Sequence, residues 1–284
     1  MIDFSLYIGK DMLIKKKPNE LLDGFLEEYN LVEKINVGKA RDMISKTLKY
    51  YNTKEPNGCY TEELESKWYD DLERGKTNYS LYNTKYYFTD LWCCWKIYSR
   101  IYLRTLIQEN GLNDCQTIKS GLGRIRCILD LGCGIGYTTA SLKQIFKGAN
   151  VYGTNIEGTR QWKFCKHMSK KYSFNLIPNI SKIKAPVDLV FASEYFEHIE
   201  NATDHLLDIV DTLSPKYFYV ANSFGTHAIG HFREYRHGKG TLFPCSIPHK
   251  KISRRFNLML ATQYERLKIN AWNNKPALWK RKTG

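Results

Sequence analysis

The chain has 284 residues and a mass of 33.2 kDa, is 43% hydrophobic, and carries a formal net charge of +14. That size suits one elaborated α/β domain with a helical extension, and the apolar fraction is enough for a sizeable core. The longest apolar runs fall short of a membrane span, and the eight cysteines (Cys59, Cys93, Cys94, Cys115, Cys127, Cys133, Cys165 and Cys245) contain no Cys-x-x-Cys pair. The first residues show no secretory apolar region, so reduced thiols and a cytoplasmic address are expected.

The charge is unevenly placed. Residues 1–123 hold 18 Lys/Arg against 18 Asp/Glu, residues 124–213 hold 11 against 9, and residues 214–284 hold 14 against 2. A basic surplus in the last quarter reads either as a field aimed at an anion or as a solvated lysine-rich face. A domain boundary is expected at 123/124, with a helical, aromatic-rich region before it.

In that first region, residues 20–34 have helical apolar spacing at Leu21, Leu22, Phe25, Leu31 and Val32. Residues 52–58 form a turn cluster, and residues 88–107 predict a long amphipathic helix. Of the aromatics crowded between them, most belong to a core. Tyr79, Tyr82 and Tyr86 are candidates to stack on a ligand ring.

From Arg126 the pattern alternates between strands and helices, as in a doubly wound sheet. Strands are expected at 127–131, 150–154, 174–177, 187–193 and 216–222. Helices are expected at 138–146, 159–172, 198–213 and 252–262, and a closing hairpin at 264–271 and 277–282. The densest signal is Ile128-Leu-Asp-Leu-Gly-Cys-Gly-Ile-Gly136. It reads as a buried strand ending in Asp130, a tight glycine turn, and a helix whose free N–H groups face a ligand.

A dinucleotide site wants Gly or Ala where Tyr137 stands, and Asp130 would repel a pyrophosphate. The segment instead resembles motif I of class I S-adenosylmethionine (SAM) methyltransferases. Five strand–helix steps and a terminal hairpin are likewise similar to that family's topology over roughly the last 160 residues.

The resemblance implies a Rossmann-like, doubly wound, seven-stranded α/β sheet with a C-terminal antiparallel hairpin and a helical N-terminal extension. It implies SAM as cofactor, with Asp130, Gly132, Cys133, Gly134 and Gly136 around its amino-acid portion. The acid expected on the ribose aligns with Asn155, a departure from the family. Glu157 either takes over that role or serves the first turn of the next helix. Asn179 stands where a polar residue meets adenine. Ser193-Glu194-Tyr-Phe-Glu197-His198 resembles a Ser-Glu-x-x-x-Glu-His block, which implies that Ser193 and Glu194 lie along the cofactor.

Three residues are candidates for catalysis. Glu197 and His198 stand at the start of a predicted helix, where they act on a proton or merely cap and pack. His231 lies in Gly230-His-Phe-Arg-Glu-Tyr235, which resembles a segment whose His reaches the acceptor. Arg233 and Arg236 suit an anionic group. His227 and His231 have the spacing of helical metal ligands, but Gly230 argues against a rigid helix, and no metal is expected. Cys245 follows a proline and is flanked by cations, a weak signal for a nucleophile.

These readings predict methyl transfer to an anionic acceptor: a nucleotide, a nucleic acid, or a phosphorylated or carboxylated metabolite. The alternative is a fold that has lost catalysis and serves nucleic-acid binding or assembly. No membrane partner is expected.

Overall fold

The computed structural model describes residues 18–53, 60–84, 124–238, 244–267 and 277–283. The chain falls into two compact units that interleave along the sequence. The first joins the N-terminal helices to Cys133–Ile145 and Asn155–Pro178; the second holds Phe146–Thr154, Asn179–Gly284 and the segment ending at Gly132. The predicted boundary at 123/124 and the helix predicted over 88–107 lie at or within residues outside the described ones, as does Tyr86.

In the first unit, α1 (Pro18–Glu33), α2 (Val37–Thr53) and α3 (Tyr60–Glu73) precede a 3-10 turn at Tyr79–Asn83. Leu22, Phe25, Leu26 and Tyr29 of α1 are buried at helical spacing. Leu31, predicted on that face, is 67% exposed, because the stripe continues through Leu26 and Tyr29. The same unit contains α4 (Tyr137–Ile145), α5 (Arg160–Tyr172) and β3 (Asn175–Ile177). Phe25 meets the Tyr137 ring at 6.1 Å, and Tyr29 meets Phe164 at 5.3 Å. The predicted turn cluster starts late: Asn52 and Thr53 still belong to α2.

The second unit is built on β1 (Cys127–Asp130), β2 (Asn150–Thr154), β4 (Leu189–Ser193), β5 (Tyr217–Ala221), β8 (Tyr264–Leu267) and β9 (Ala277–Arg281). The seven-stranded sheet has the order β3-β2-β1-β4-β5-β9-β8. β1 pairs in parallel with β2 and β4, β4 with β5, while β9 runs antiparallel to β5 and β8. The apolar runs of β1 and β4 are buried throughout, as a doubly covered parallel sheet requires.

Asp188 closes the amino end of β4: its carboxylate accepts the N–H groups of Arg126 and Cys127 and meets Lys216 Nζ at 2.7 Å. Burial alone would raise its pKa, but these donors bring it below the ordinary carboxylate value.

Two predicted elements change. The helix predicted over 198–213 is α6, Ala202–Leu213, preceded by a separate 3-10 turn at Phe196–His198. Glu197 and His198 therefore do not open that helix; buried contacts hold their turn apart from it. The insertion after β5, where no strand or helix is expected before 252, contains an antiparallel pair, β6 (Glu234–His237) and β7 (Cys245–Pro248). It leads into α7 (His249–Gln263), which starts directly after Pro248.

Candidate active site

The parallel register brings the carboxyl ends of β1, β4 and β5 level, since Asp130 pairs with Phe191 and Ser193 with Ala221. Asp130 and Ser193 are both buried there. Beyond β1 the chain turns at Gly132 with φ of 62°, and the Gly132 N–H donates to Thr154 Oγ1 at 3.0 Å. A Cβ on Gly132 would overlap the Tyr195 ring. The Tyr195 hydroxyl in turn lies 2.9 Å from His205 Nε2. This glycine is thus required by a packed aromatic ring, which the sequence did not reveal.

In the second unit the strand ends carry a cluster of titratable groups. Glu197 is fully buried. Its Oε1 accepts the Ser223 N–H at 2.7 Å, and its backbone carbonyl accepts the Tyr235 hydroxyl at 2.9 Å. Ser223 Oγ donates to Glu194 Oε1 at 3.1 Å, so one serine spans both carboxyl groups. Burial, and then the negative charge of Glu194, push the Glu197 pKa well above the ordinary value, which favours its neutral form. Glu194 has φ of 51°, a left-handed conformation that costs a non-glycine residue about 1–3 kcal/mol. Its N–H is held by the Ala221 carbonyl at 2.7 Å.

His198 and His231 stack edge to face with ring centroids 4.7 Å apart. His231 Nδ1 lies 2.7 Å from the Thr226 carbonyl. Burial lowers the pKa of both rings, so both are neutral at neutral pH. His227 is exposed and faces His249 at 5.8 Å. Among the described residues no three His, Cys, Asp or Glu side chains gather as metal ligands.

Arg233 is exposed, while Arg236 pairs with Glu200 at 3.0 Å. Asn179 is exposed, and its side-chain oxygen accepts the Ser181 N–H at the start of a 3-10 turn. Cys245 is exposed on β7.

The first unit carries the rest of the glycine loop. The Cys133 side chain turns inward, its Sγ 3.5 Å from Cys165 Sγ, so the residue offers a ligand its backbone only. A Cβ on Gly136, whose φ is 92°, would lie 3.0 Å from Cys165 Sγ and 3.2 Å from Met168 Cβ. Gly136 therefore permits the approach of α5, the packing task that a dinucleotide motif assigns one position later. Tyr137 is buried, with its hydroxyl 2.5 Å from Glu28 Oε2.

Asn155 Nδ2 donates to the Gly134 carbonyl at 2.5 Å, and Asn155 Oδ1 accepts the Ile156 N–H at 2.7 Å. A carboxylate could not donate the first of these bonds. The departure at this position thus has a structural reason, because the amide ties the loop after β2 to the glycine turn. Glu157 is exposed in the same loop.

Asn83 caps the start of α5 by accepting the Arg160 N–H at 2.8 Å and, through its carbonyl, Arg160 Nε at 3.0 Å. This docks the Tyr79–Asn83 turn at the amino end of α5, which follows directly from the Asn155 loop. Tyr79 and Tyr82 lie 6.3 Å apart, and Tyr79 also packs on Trp68 at 5.7 Å. Sequence reading missed Asn83 and Ser223, which carry no motif; only their positions beside a helix start and a strand end mark them.

Residues 129–220 match the family model described as a methyltransferase domain. That segment, from β1 to β5, is similar to a methyltransferase domain.

Among solved structures, the chain is similar to the apo form of the S-adenosylmethionine-dependent methyltransferase SibL, at 12% identity over 86% of this chain and 77% of that one, with a TM-score of 0.46. It is similar to the PH0226 protein from Pyrococcus horikoshii OT3 at 14% identity, over 65% of this chain and 98% of that one, with a TM-score of 0.41. It is also similar to monomeric WbdD at 16% identity over 57% of this chain, with a TM-score of 0.39, and the match spans 37% of the WbdD chain. No curated protein matches the chain.

The strand ends of the second unit fit a polar ligand such as S-adenosylmethionine. Ser193 Oγ, Glu197 Oε2 and Asn222 Oδ1 lack hydrogen-bond partners among the described residues, although each atom is buried. Buried polar groups are rarely left so, and a polar ligand at the strand ends would satisfy them.

Proposed function

We propose that this protein is a class I methyltransferase that transfers the methyl group of SAM to a nucleophilic oxygen, nitrogen or carbon atom of an anionic acceptor. When bound, the cofactor supplies a methyl group already activated on a sulfonium centre. The protein's work is then alignment and proton handling.

In the second unit, Asp130, the Gly132 turn and Ser193 are the groups for the cofactor's amino-acid end. The observation that carries the reading is the cluster of Glu194, Glu197, His198 and His231 around Ser223, which leaves hydrogen-bonding capacity unfilled at the end of the sheet.

His231 is the group suited to take a proton from the acceptor. Its ring is neutral and fixed by Thr226, and a neutral imidazole keeps a lone pair on one nitrogen. The protonated Glu197 carboxyl holds the Ser223 backbone and, with it, the Glu194 side chain. Exposed Arg233, on the same insertion as His231, offers a charge to a phosphate or carboxylate.

The test is to incubate the protein with radiolabelled SAM and a cell extract, then separate nucleic acid, protein and small molecules. Label should enter an anionic fraction and depend on His231. Label in neutral metabolites alone would overturn the acceptor assignment. Isothermal titration with SAM tests the cofactor separately, with Gly134→Val expected to abolish the heat without unfolding the protein.

A further inference from the structure

Helix α7 contains no Asp or Glu among its fifteen residues. Its inner face is fully used: Ile252, Phe256 and Leu260 are buried, and the Phe256 ring meets Phe196 at 4.7 Å and Phe224 at 5.6 Å. Phe196 begins the turn that carries Glu197 and His198, so α7 is packed directly against the support of the catalytic cluster.

The outer face is cationic. Lys250, Lys251, Arg254 and Arg255 are all exposed. Some other surface cations of this unit have acidic partners: Lys216 meets Asp188, Arg236 meets Glu200 and Lys280 meets Glu265. Lys250, Lys251 and Arg254 have no ion pair among the described residues. Arg255 is instead oriented by a hydrogen bond of 2.9 Å to His237 Nε2.

We infer that the outward face of α7 is a docking surface for the phosphate backbone of a nucleic-acid strand. Two pairs of cations, four residues apart, repeat at about 6 Å along the helix. That repeat suits successive phosphates of an extended strand, whereas a single small anion needs donors that converge on one point. A membrane surface fits less well. A helix lying in a bilayer interface needs a free apolar face, and that of α7 is spent on the protein core, leaving only Leu258 exposed. Naming this strand as the methyl acceptor rests on the proposed function; the docking surface itself does not.

The test uses the full chain and the variant Lys250→Ala/Lys251→Ala/Arg254→Ala, whose changes are all at exposed positions. Binding of mixed-sequence single-stranded 20-mers of RNA and of DNA is followed by fluorescence anisotropy between 50 and 200 mM salt. Each phosphate contact on a single strand contributes about 0.7 to the slope of log affinity against log salt. The triple variant should therefore lose about 2 from that slope, with an unchanged melting temperature. An unchanged slope with both oligonucleotides would overturn the inference. So would equal binding of polyglutamate of the same charge, or binding of phosphatidylserine vesicles with no binding of either oligonucleotide. SAM titration of the same preparations separates the two proposals: normal SAM heats with no slope change sink only the docking surface, and a slope change without SAM heats sinks only the enzymatic reading.

Discussion

Glu28 and Glu33 in the first unit and Glu197 in the second are all buried carboxyl groups, yet only the first two meet a cation. Glu28 accepts Lys171 Nζ and the Tyr137 hydroxyl, each at 2.5 Å. Glu33 pairs with Arg160 at 2.5 Å and Lys163 at 3.4 Å. Glu197 has a backbone N–H, a second carboxyl group as neighbour, and an oxygen with no partner among the described residues. An ionised carboxylate is expensive to bury unless it is paired, and a group that stays unpaired keeps its proton instead. The first arrangement holds helices together. The second stores hydrogen-bonding capacity at the strand ends, where a ligand can use it.

The largest expected effect separates chemistry from support. His231→Gln should lower turnover by about 10²–10⁴-fold, with SAM affinity measured by calorimetry unchanged. Normal turnover in that variant would remove the proposed base from the cluster.

Next comes Glu28→Ala, which leaves the buried Tyr137 hydroxyl without its acceptor. Urea denaturation should show a loss of about 1–3 kcal/mol. Lys171 adds little to that loss because its side chain is 50% exposed. A silent Glu28→Ala would break the contrast between the two kinds of acid.

The third expectation concerns pH. Because Glu197 has a raised pKa when folded, its contribution is intact below the ordinary value of 4.5 and is lost as pH rises above it. His198 and His231 have lowered pKa values when folded, so their contribution is intact above 6.5 and is lost as pH falls below it. Thermal melts of Glu197→Gln should lose the fall on the alkaline side and keep the fall on the acid side. A variant whose profile matches that of the parent would refute the protonated state of Glu197. The smallest effect belongs to Lys216→Ala, which removes a 67% exposed partner of Asp188 and should cost less than about 1 kcal/mol in the same denaturation assay.

Much of the second unit was legible in the sequence because strand and helix periods differ and glycine turns punctuate them. The strand predicted at 150–154 is β2 to the residue, and β1, β4 and β5 are each one or two residues shorter than predicted. The turn at Phe196–His198 was misread as the start of a helix. Its conformation depends on Phe256 and Tyr235, residues distant in the chain. Leu31 was misplaced because two overlapping apolar stripes fit the same helix, and burial chose the other.

Sequence by itself determined the sheet, the glycine turn and the acid at the end of the first strand, since each follows from local backbone needs and short-range apolar patterning. Tertiary structure alone decided which buried acids meet a cation, why Asn155 stands where an acid was expected, and which helix face is left cationic. Those properties depend on burial and on partners far apart in the chain, such as Glu28 with Lys171 and Glu197 with Ser223. Local sequence carries no record of either until the chain has folded.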